Sequence, residues 1–408
     1  KKGNLLPHFI AIRNGISTNQ KSVQEGYEKV LNARLNDARF FFAEDLKKPL
    51  EHHIARSGEI QIHDKLGKIK DKLDRMTKTA DWLCQKISAD ATTVQRGIQL
   101  CKFDLGTSMV YEFPELQGIV GSIYARHYNE PAPVSQSVKE HYYPLTVQSE
   151  LPRTLESSAA SFLDKLDNLI GSFLVGAVPT GSADPYGLKR QAAGILRIAL
   201  DHKWELSIHE SLKAHLGQFA AWDDNAKRTI EQNLVAFLVD RFQLLMQDAG
   251  FELDEIYAAT KNSRDPDTRA LNLIRMKDKI AALHTIRSHP DFGAMAITFK
   301  LTVNILKQAR SKNLAFGPGQ LKQEMFKDAS EGELNTIIQK VAAQTGELMS
   351  AQKYAETFQT WVTLRQPLDL FFEKVMVMDP DPAVCANRLS ILSALENLFL
   401  QAADLSQI

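Results

Sequence analysis

Apolar residues recur with helical spacing along nearly the whole chain, and this periodicity restricts the fold more than any other feature of the sequence. Within residues 27–42, spacings of three and four predict one buried stripe on a helix, formed by Val30, Leu31, Leu35, Ala38 and Phe41. Strand-like alternation is limited to residues 4–13. The sequence therefore predicts an all-α protein with a short β segment at its N-terminus.

The same periodicity predicts further helices over residues 67–88, 92–110, 115–128, 156–174, 185–201 and 226–249. The clearest helix is C-terminal, where Asp381 is the expected N-cap and Pro382 suits the first helical position. We expect this helix to end near Ala403 and to pack onto other helices, with Arg388 and Glu396 lying off its apolar face.

Composition excludes several classes of protein. The 49 basic and 49 acidic residues cancel, so any RNA site must be a local patch. Three widely spaced cysteines indicate neither a disulfide framework nor a CxxC metal knuckle. The longest apolar stretch, residues 169–179, falls short of the ~20 residues that cross a bilayer. We therefore expect a soluble, cytoplasmic protein without a membrane partner.

The segment VPTGSADPYGLKRQAAGILRI, residues 178–198, carries the most informative local signal. A turn is predicted at Gly181 and Ser182, followed by a cap at Asp184 and a helix that starts at Pro185.

Two glycines and three basic residues of this predicted helix suggest what its faces contact. Gly187 and Gly194 are two turns apart, which permits close approach of another element. Lys189 and Arg190 lie near the helix N-terminus, where cations are unfavourable unless an anion such as an RNA phosphate is close. Arg197 should project from the same side as Arg190, two turns on. The alternatives are a solvated basic turn, or arginines paired with acids of adjacent helices.

A second group of residues has the composition of a metal site. His141, Asp104 and Asp164 are of the types that hold divalent ions for phosphoester hydrolysis when neighbouring helices bring them together. Phe103 stands where a histidine paired with Asp104 would be needed, and phenylalanine cannot ligate metal. We therefore expect no bound metal. The alternative role for these acids, together with Asp167, is helix capping and ion pairing.

Several blocks, in order along the chain, resemble the β subunit of bacterial glycyl-tRNA synthetases. The most specific are EFPELQG at residues 112–118, PTGSADPYGLKRQAAGILRI at 179–198 and FFEKVMVM at 371–378. None of them is a catalytic signature. Phe103 replaces a small residue of the family, and Lys189 replaces its more usual arginine. Lysine keeps the charge but loses bidentate recognition of phosphate.

The resemblance implies a multi-domain layout. Residues 1–25 would link to further N-terminal domains, 26–205 would form an HD-phosphohydrolase-like helical domain, 206–262 a helical connector, and 263–408 a DALR-type anticodon-binding bundle. The polar stretch at residues 261–268 fits the last boundary. Within this layout the expected tRNA-binding residues are Lys189, Arg190, Arg197 and Arg388. The expected degenerate HD-like metal positions are Phe103, Asp104, His141 and Asp164.

The function implied by the resemblance is that of a tRNA-binding component of glycine–tRNA ligase, which positions tRNA(Gly) for aminoacylation. In the family the glycine and ATP site lies on the α subunit, a class II core. ATP and Mg are therefore expected there, and no cofactor is expected on this chain. Accordingly, the sequence contains no GxGxR-like motif 3 and no HIGH or KMSKS element.

The partners implied by the resemblance are tRNA(Gly) and an α subunit or fused α domain, in an oligomer. Two rival functions remain open at this stage. The first is a working, metal-dependent HD-type phosphohydrolase, and the second is a helical scaffold without RNA contact.

Overall fold

A computed structural model describes residues 6–15, 18–180, 183–262 and 264–408, and most of these residues are helical. The N-terminal part contains α1 Gln20–Leu46, α2 Leu50–Gly58, α3 Ile69–Ile87, α4 Ala91–Leu100, α5 Ser108–Glu112, α6 Ile119–His127, α7 Ala132–Glu140, α8 Leu155–Leu174 and α9 Leu188–Asp201. An antiparallel hairpin of β1 Gln61–His63 and β2 Gly67–Lys68 joins α2 to α3.

The C-terminal part continues with α10 Ile208–Leu216, α11 Asp224–Asp248, α12 Leu253–Thr260, α13 Pro266–Ala270, α14 Leu273–Ile286, α15 Phe292–Ser311, α16 Ala329–Ser350, α17 Tyr354–Val362, α18 Arg365–Lys374 and α19 Pro382–Phe399. Short 3-10 turns lie at Phe103–Gly106, Pro114–Leu116, Pro318–Gln320, Gln323–Met325 and Leu405–Gln407. The predicted all-α class is confirmed, whereas the likeness of its parts to HD and DALR domains stays a prediction.

The N-terminal stretch does not form the predicted strand. Residues 6–13 have no regular secondary structure, and within the described part of the chain they pair with no strand. Residues 4 and 5 of the predicted strand lie outside the described residues. Ile10 and Ile12 are 92% and 93% exposed. The strand prediction is wrong for residues 6–13, because alternating apolar residues form a strand only where their backbone groups find a partner.

Helix α1 also departs from the prediction, since most of its apolar stripe is exposed. Val30 and Leu35 are 62% and 54% exposed, while Phe41 packs against the body of the protein. The helix is fixed near its end by Asp45, whose carboxylate accepts hydrogen bonds from the first two backbone N–H groups of α5 at 2.9 Å each. A carboxylate at a helix N-terminus also interacts favourably with the helix dipole. The C-terminal half of α1 therefore attaches this helix to the rest of the protein.

Helix α8 is the centre of the N-terminal part. Its first turns consist of the small residues SSAAS, 157–161, which let other helices approach closely. Helices α3, α4, α7, α9 and α11 pack around it, and nearly every residue from Ser157 to Gly171 is buried. Polar side chains on a helix buried on all sides must find partners inside the protein. On α8 these side chains include Asp164, Lys165 and Asp167.

The helices of the predicted connector, α10 to α12, contribute to the main hydrophobic core, which extends from α3 to the C-terminal residues. The polar stretch at 261–268 is folded into the same body. The Asn262 side chain donates to the Leu400 carbonyl oxygen at 2.7 Å, and Lys279 forms a buried ion pair with Asp265 at 2.7 Å. The domain boundaries stay predictions, and this polar stretch joins two parts of one continuous core.

The C-terminal helix α19 begins as predicted, with Pro382 as its first residue. The Asp381 carboxylate accepts a hydrogen bond from the first turn, which confirms the cap. The helix ends at Phe399, four residues before the predicted end. Arg388 and Glu396, predicted to lie off the apolar face, are nevertheless buried and ion-paired, because α19 is enclosed on more than its apolar face.

Candidate functional site

The four predicted metal positions lie on three elements of the N-terminal part. Phe103 and Asp104 are in the 3-10 turn that follows α4, His141 directly follows α7, and Asp164 is on α8. Phe103 is 1% exposed and belongs to a small second core with Leu100, Phe113, Val120, Tyr124 and Val138. The ring at this position is therefore enclosed by apolar side chains.

The Asp104 carboxylate is buried and bonded to backbone. Its Oδ2 accepts a hydrogen bond from the Gly118 N–H at 2.6 Å, while its Oδ1 has no hydrogen-bond partner among the described residues. Burial raises the pKa of Asp104 to about 6, because a low-polarity environment disfavours the charged carboxylate. A Cβ atom at Gly121 would stand 2.7 Å from this carboxylate. Glycine at that position therefore allows α6 to pass close to Asp104.

His141 is fully buried and neutral. Its Nδ1 lies 2.9 Å from the Val138 carbonyl oxygen, which can only accept, so Nδ1 carries the proton. Nε2 is then an acceptor, and it has no hydrogen-bond partner within the described ranges. Burial, together with the positive charge of Lys102, lowers the pKa of His141 well below its ordinary value.

Asp164 is paired with two lysines. Lys72 Nζ and Lys102 Nζ each lie 3.2 Å from Asp164 Oδ1, and the three side chains are at most 10% exposed. Burial alone would raise the pKa of Asp164, but the two ammonium groups lower it below its ordinary range. Two ammonium groups are thus paired with the carboxylate that a divalent ion would need. Among the described residues, no three His, Cys, Asp or Glu side chains form a metal-binding group. The residues present do not fit a metal centre.

Asp167, one turn beyond Asp164 on α8, is also ion-paired. Its carboxylate accepts hydrogen bonds from Arg75 at 2.8 and 3.1 Å and lies 3.0 Å from His215 Nε2. Burial alone would raise the pKa of Asp167, but Lys72, His215 and Arg75 lower it below its ordinary range. The alternative in which the acids of α8 form ion pairs therefore agrees with the geometry.

Lys165 is a buried lysine next to these acids. Its Nζ donates to the carbonyl oxygens of Tyr143 and His141 at 2.6 and 3.3 Å and to Ser161 Oγ at 2.8 Å. The stem of the side chain crosses α9 at Gly194, where a Cβ atom would lie 2.8 Å from Lys165 Cε. The predicted close approach at Gly194 is therefore confirmed. Burial, opposed by Asp164 and assisted by Lys102, Lys72 and Arg190, lowers the pKa of Lys165 to about 7.

Some of these side chains line a pocket of about 480 Å³. Lys102, Lys165 and Asp164 lie at its inner side, and Lys139, Arg190 and Glu115 also line it. Its less polar surface comes from Ile119, Tyr142, Tyr143, Pro144 and Leu145. We call this cavity the lysine pocket.

Helix α9 starts at Leu188, three residues later than predicted. The Asp184 carboxylate accepts hydrogen bonds from the N–H groups of Leu188 and Lys189 at 2.7 and 3.0 Å, so Asp184 is a cap as predicted. Gly187 precedes the helix with φ of +63°, a conformation that favours glycine. The predicted turn at Gly181 and Ser182 lies outside the described residues. Asp184 is thus an anion bound at this helix N-terminus.

The two arginines of α9 have different surroundings. Arg190 is exposed and lines the lysine pocket. The Arg197 guanidinium instead donates to the carbonyl oxygens of Val147 and Ser149, in the loop that follows Pro144. Arg197 therefore ties α9 to the loop that contains the pocket residue Leu145. Because its guanidinium is bonded within the chain, Arg190 and Arg197 do not form one open basic face.

Arg388, the fourth predicted tRNA contact, lies far from these residues in sequence and inside the core. It is 6% exposed, and its guanidinium bonds to Glu331 at 2.8 Å and to Asp379 at 2.7 Å. This location fits a structural residue rather than a contact with a large polyanion.

Sequence reasoning missed the buried cations Lys72, Lys102 and Lys165. A signal was present, because Lys102 and Lys165 each adjoin a residue considered as a metal position. A cation beside a supposed ligand favours an ion pair over a metal site. Lys72, by contrast, comes from α3, and nothing local in its sequence marks it as buried.

The fold and the site together define an all-α protein whose central helix carries a buried lysine and aspartate cluster beneath a basic pocket. No helix in the described part of the chain combines the length and apolarity needed to cross a membrane.

Comparison with known proteins identifies the family. The family model described as glycyl-tRNA synthetase beta subunit matches residues 1–261. The whole chain is 37% identical to the glycine–tRNA ligase beta subunit of Geobacter sp. (strain M21), and covers 57% of that protein. It is 36% and 35% identical to the beta subunits of Pseudomonas fluorescens (strain SBW25) and Oceanobacillus iheyensis, and covers 58% of each. The chain belongs to the glycyl-tRNA synthetase beta subunit family, and it spans less than two thirds of the length of these relatives.

Proposed function

We propose that this chain is the tRNA-binding part of a glycine–tRNA ligase, and that it positions tRNA(Gly) for aminoacylation by a class II α core. Family membership supports the link to glycyl-tRNA synthesis. ATP and Mg are used on the α core, whether that core is a separate subunit or a fused domain. The chain acts within an oligomer with this core.

The observation that carries the RNA-binding proposal is the concentration of cations at the lysine pocket. Lys139 and Arg190 line it beside the inner Lys102 and Lys165, and Lys189 lies next to Arg190 in the first turn of α9. A chain without net charge can bind RNA if one face is locally basic. Phosphate contacts of this kind fix the position of an RNA without reading its sequence.

The same geometry weighs against a metal-dependent phosphohydrolase. Such chemistry needs carboxylates that are free to coordinate a cation. Asp164 is instead paired with Lys72 and Lys102. We therefore do not propose hydrolase activity for the lysine pocket.

Binding of tRNA(Gly) to the 408-residue chain, measured against salt concentration, tests the proposal. The double variant Arg190→Ala/Lys139→Ala should bind more weakly, and its log–log salt slope should fall by roughly 0.7 to 0.9 for each lost phosphate contact. Other tRNAs should lose affinity to the same extent, because backbone contacts are independent of sequence.

Arg228→Ala is the matched control, since Arg228 is an exposed arginine on α11 outside the pocket. Its affinity and slope should equal those of the unmodified chain. An unchanged slope in the double variant, with unchanged melting temperature, would remove the lysine pocket from the tRNA surface. No tRNA binding by the unmodified chain at low salt would refute the proposed function.

A further inference from the structure

The lysine pocket is lined by more basic than acidic side chains, with Lys102, Lys139, Lys165 and Arg190 against Asp164 and Glu115. Lys72, Lys102 and Arg75 are each less than one tenth exposed and are ion-paired with Asp164 and Asp167. Three cations beneath the pocket thus share two carboxylates with lowered pKa values. The buried Lys165 donates to uncharged groups, the Ser161 hydroxyl and the carbonyl oxygens of His141 and Tyr143. Buried charge without a counterion is unfavourable, so this excess calls for an anion from outside the chain.

Lys165 would gain from an anion in the pocket. Burial is the largest cause that brings its pKa to about 7, and Lys102, Lys72 and Arg190 lower this pKa while Asp164 raises it. An anion bound beside Lys165 would favour its charged form.

An unpartnered hydroxyl also points to a ligand. The Tyr142 hydroxyl is buried and has no hydrogen-bond partner among the described residues, and its ring lies 3.9 Å from Lys102 Nζ. Buried hydroxyl groups in folded proteins nearly always have a partner. Tyr142 lines the lysine pocket, so its hydroxyl is available to donate a hydrogen bond to a bound acceptor.

The pocket also offers apolar surface next to the cations. Ile119 and Leu145 line it and are 45% and 53% exposed, and Tyr143 also lines it. Exposed aliphatic side chains and an aromatic ring are suitable surfaces for a sugar or a base. A volume of about 480 Å³ admits a single nucleotide and excludes an RNA duplex.

We propose that the lysine pocket binds a phosphate monoester, with the phosphate at Lys102, Lys165 and Arg190 and the attached nucleoside toward Ile119 and Leu145. A monoester is close to a dianion at neutral pH and so gains more from these cations than a phosphodiester or a carboxylate, which carries one negative charge. Two sources have this chemistry: the 5′-terminal phosphate of an RNA, and a free mononucleotide. The identification of the ligand as the 5′-phosphate of an RNA rests on the proposed function, whereas the binding of a monoester by the pocket does not.

Calorimetric titration of the 408-residue chain tests the pocket without tRNA. Inorganic phosphate and AMP should bind, and adenosine should bind more weakly than AMP by at least about tenfold, the change expected from one lost charge-assisted contact. Arg190→Ala should weaken AMP binding, and Glu115→Gln, which removes an exposed acid from the pocket, should strengthen it. Arg228→Ala should bind AMP like the unmodified chain. Equal binding of AMP and adenosine, or no saturable binding of phosphate or AMP at millimolar concentration, would overturn the proposal.

A comparison of tRNA with and without its 5′-phosphate identifies the source. If removal of the phosphate weakens tRNA binding and AMP competes with intact tRNA, the ligand is the RNA terminus. If AMP binds but tRNA binds equally well with and without its 5′-phosphate, the ligand is a free nucleotide. If AMP binds and tRNA does not bind at all, the pocket proposal stands while the proposed function fails.

Discussion

Arg388 on α19 and Glu331 on α16 form an ion pair at 2.8 Å inside the core, where the side chains are 7% and 0% exposed. Asp379 holds a second nitrogen of the same guanidinium at 2.7 Å. The pair connects the first turn of α16 to the middle of α19. An arginine in this position contributes to the stability of the C-terminal bundle whatever binds to its surface.

The change Arg388→Ala is therefore expected to destabilise the chain by about 3 to 5 kcal/mol, because it leaves the Glu331 carboxylate buried without its partner. Urea unfolding followed by circular dichroism measures this loss. The double change Arg388→Met/Glu331→Leu should recover most of it, since the buried charge is then also removed. If Arg388→Ala leaves the midpoint unchanged, the ion pair is not formed in solution.

The sequence predicted parts of this bundle correctly and missed others for a physical reason. The Asp381 cap and the start of α19 follow from local backbone chemistry, which the sequence contains directly. The burial of Arg388 depends on Glu331, 57 residues away, and spacing along one helix cannot reveal such a partner. The same limit applies to Lys72 and Asp164, whereas the exclusion of Phe103 as a ligand needed only the chemistry of one side chain.

Asp104 is expected to make the chain less stable as pH rises from about 4 to 6. Its folded-state pKa of about 6 lies above the ordinary 3.8, so its protonated form favours folding and this contribution is lost as pH passes through 6. A shift of about two units corresponds to about 3 kcal/mol. Asp104→Asn keeps an oxygen for the Gly118 N–H, so it should match the unmodified chain at pH 4 and exceed its stability at pH 7.

Urea unfolding at several pH values measures this difference. Asp164→Asn is the contrasting variant, because it leaves Lys72 and Lys102 without their shared carboxylate and should destabilise the chain at pH 7. Equal pH dependence in the unmodified chain and Asp104→Asn would mean that Asp104 is ionised at neutral pH without cost.

Arg197→Ala is expected to loosen the loop that follows Pro144. The guanidinium loses its bonds to the carbonyl oxygens of Val147 and Ser149, so amide hydrogen exchange at residues 145–150 should become faster. The salt slope of tRNA binding should fall less than in Arg190→Ala, because Arg197 is engaged within the chain. A slope reduced as much as in Arg190→Ala, with unchanged exchange in the loop, would identify Arg197 as a direct phosphate contact.

Gly194→Ala is expected to destabilise the chain by about 1 to 3 kcal/mol, the usual effect of an added methyl group in a packed interior. The new Cβ would stand 2.8 Å from Lys165 Cε, so the lysine must move. Gly293→Ala in α15 is the matched control, because no atom lies within 4 Å of a Cβ built there. Thermal unfolding of the two variants should separate them, and equal melting temperatures would contradict the close approach.

The purified chain is expected not to form glycyl-adenylate, because it contains no class II or class I synthetase motif. Glycine-dependent exchange of pyrophosphate into ATP measures this reaction. Addition of an α subunit that binds the chain should restore exchange. Exchange by the chain alone, after removal of contaminating synthetase, would contradict the assignment of the ATP site to the α core.

The continuous core described above has a consequence for any attempt to divide this protein. Cutting the backbone near residue 262 would expose apolar side chains of α9 and α12 on one piece and of α14 and the C-terminal turn Leu405–Gln407 on the other. Neither piece should fold well when expressed by itself. When both pieces are produced in the same cell, they should associate through the shared core and form the complete fold. A break at this junction would therefore yield a functional split protein and not two independently folding domains.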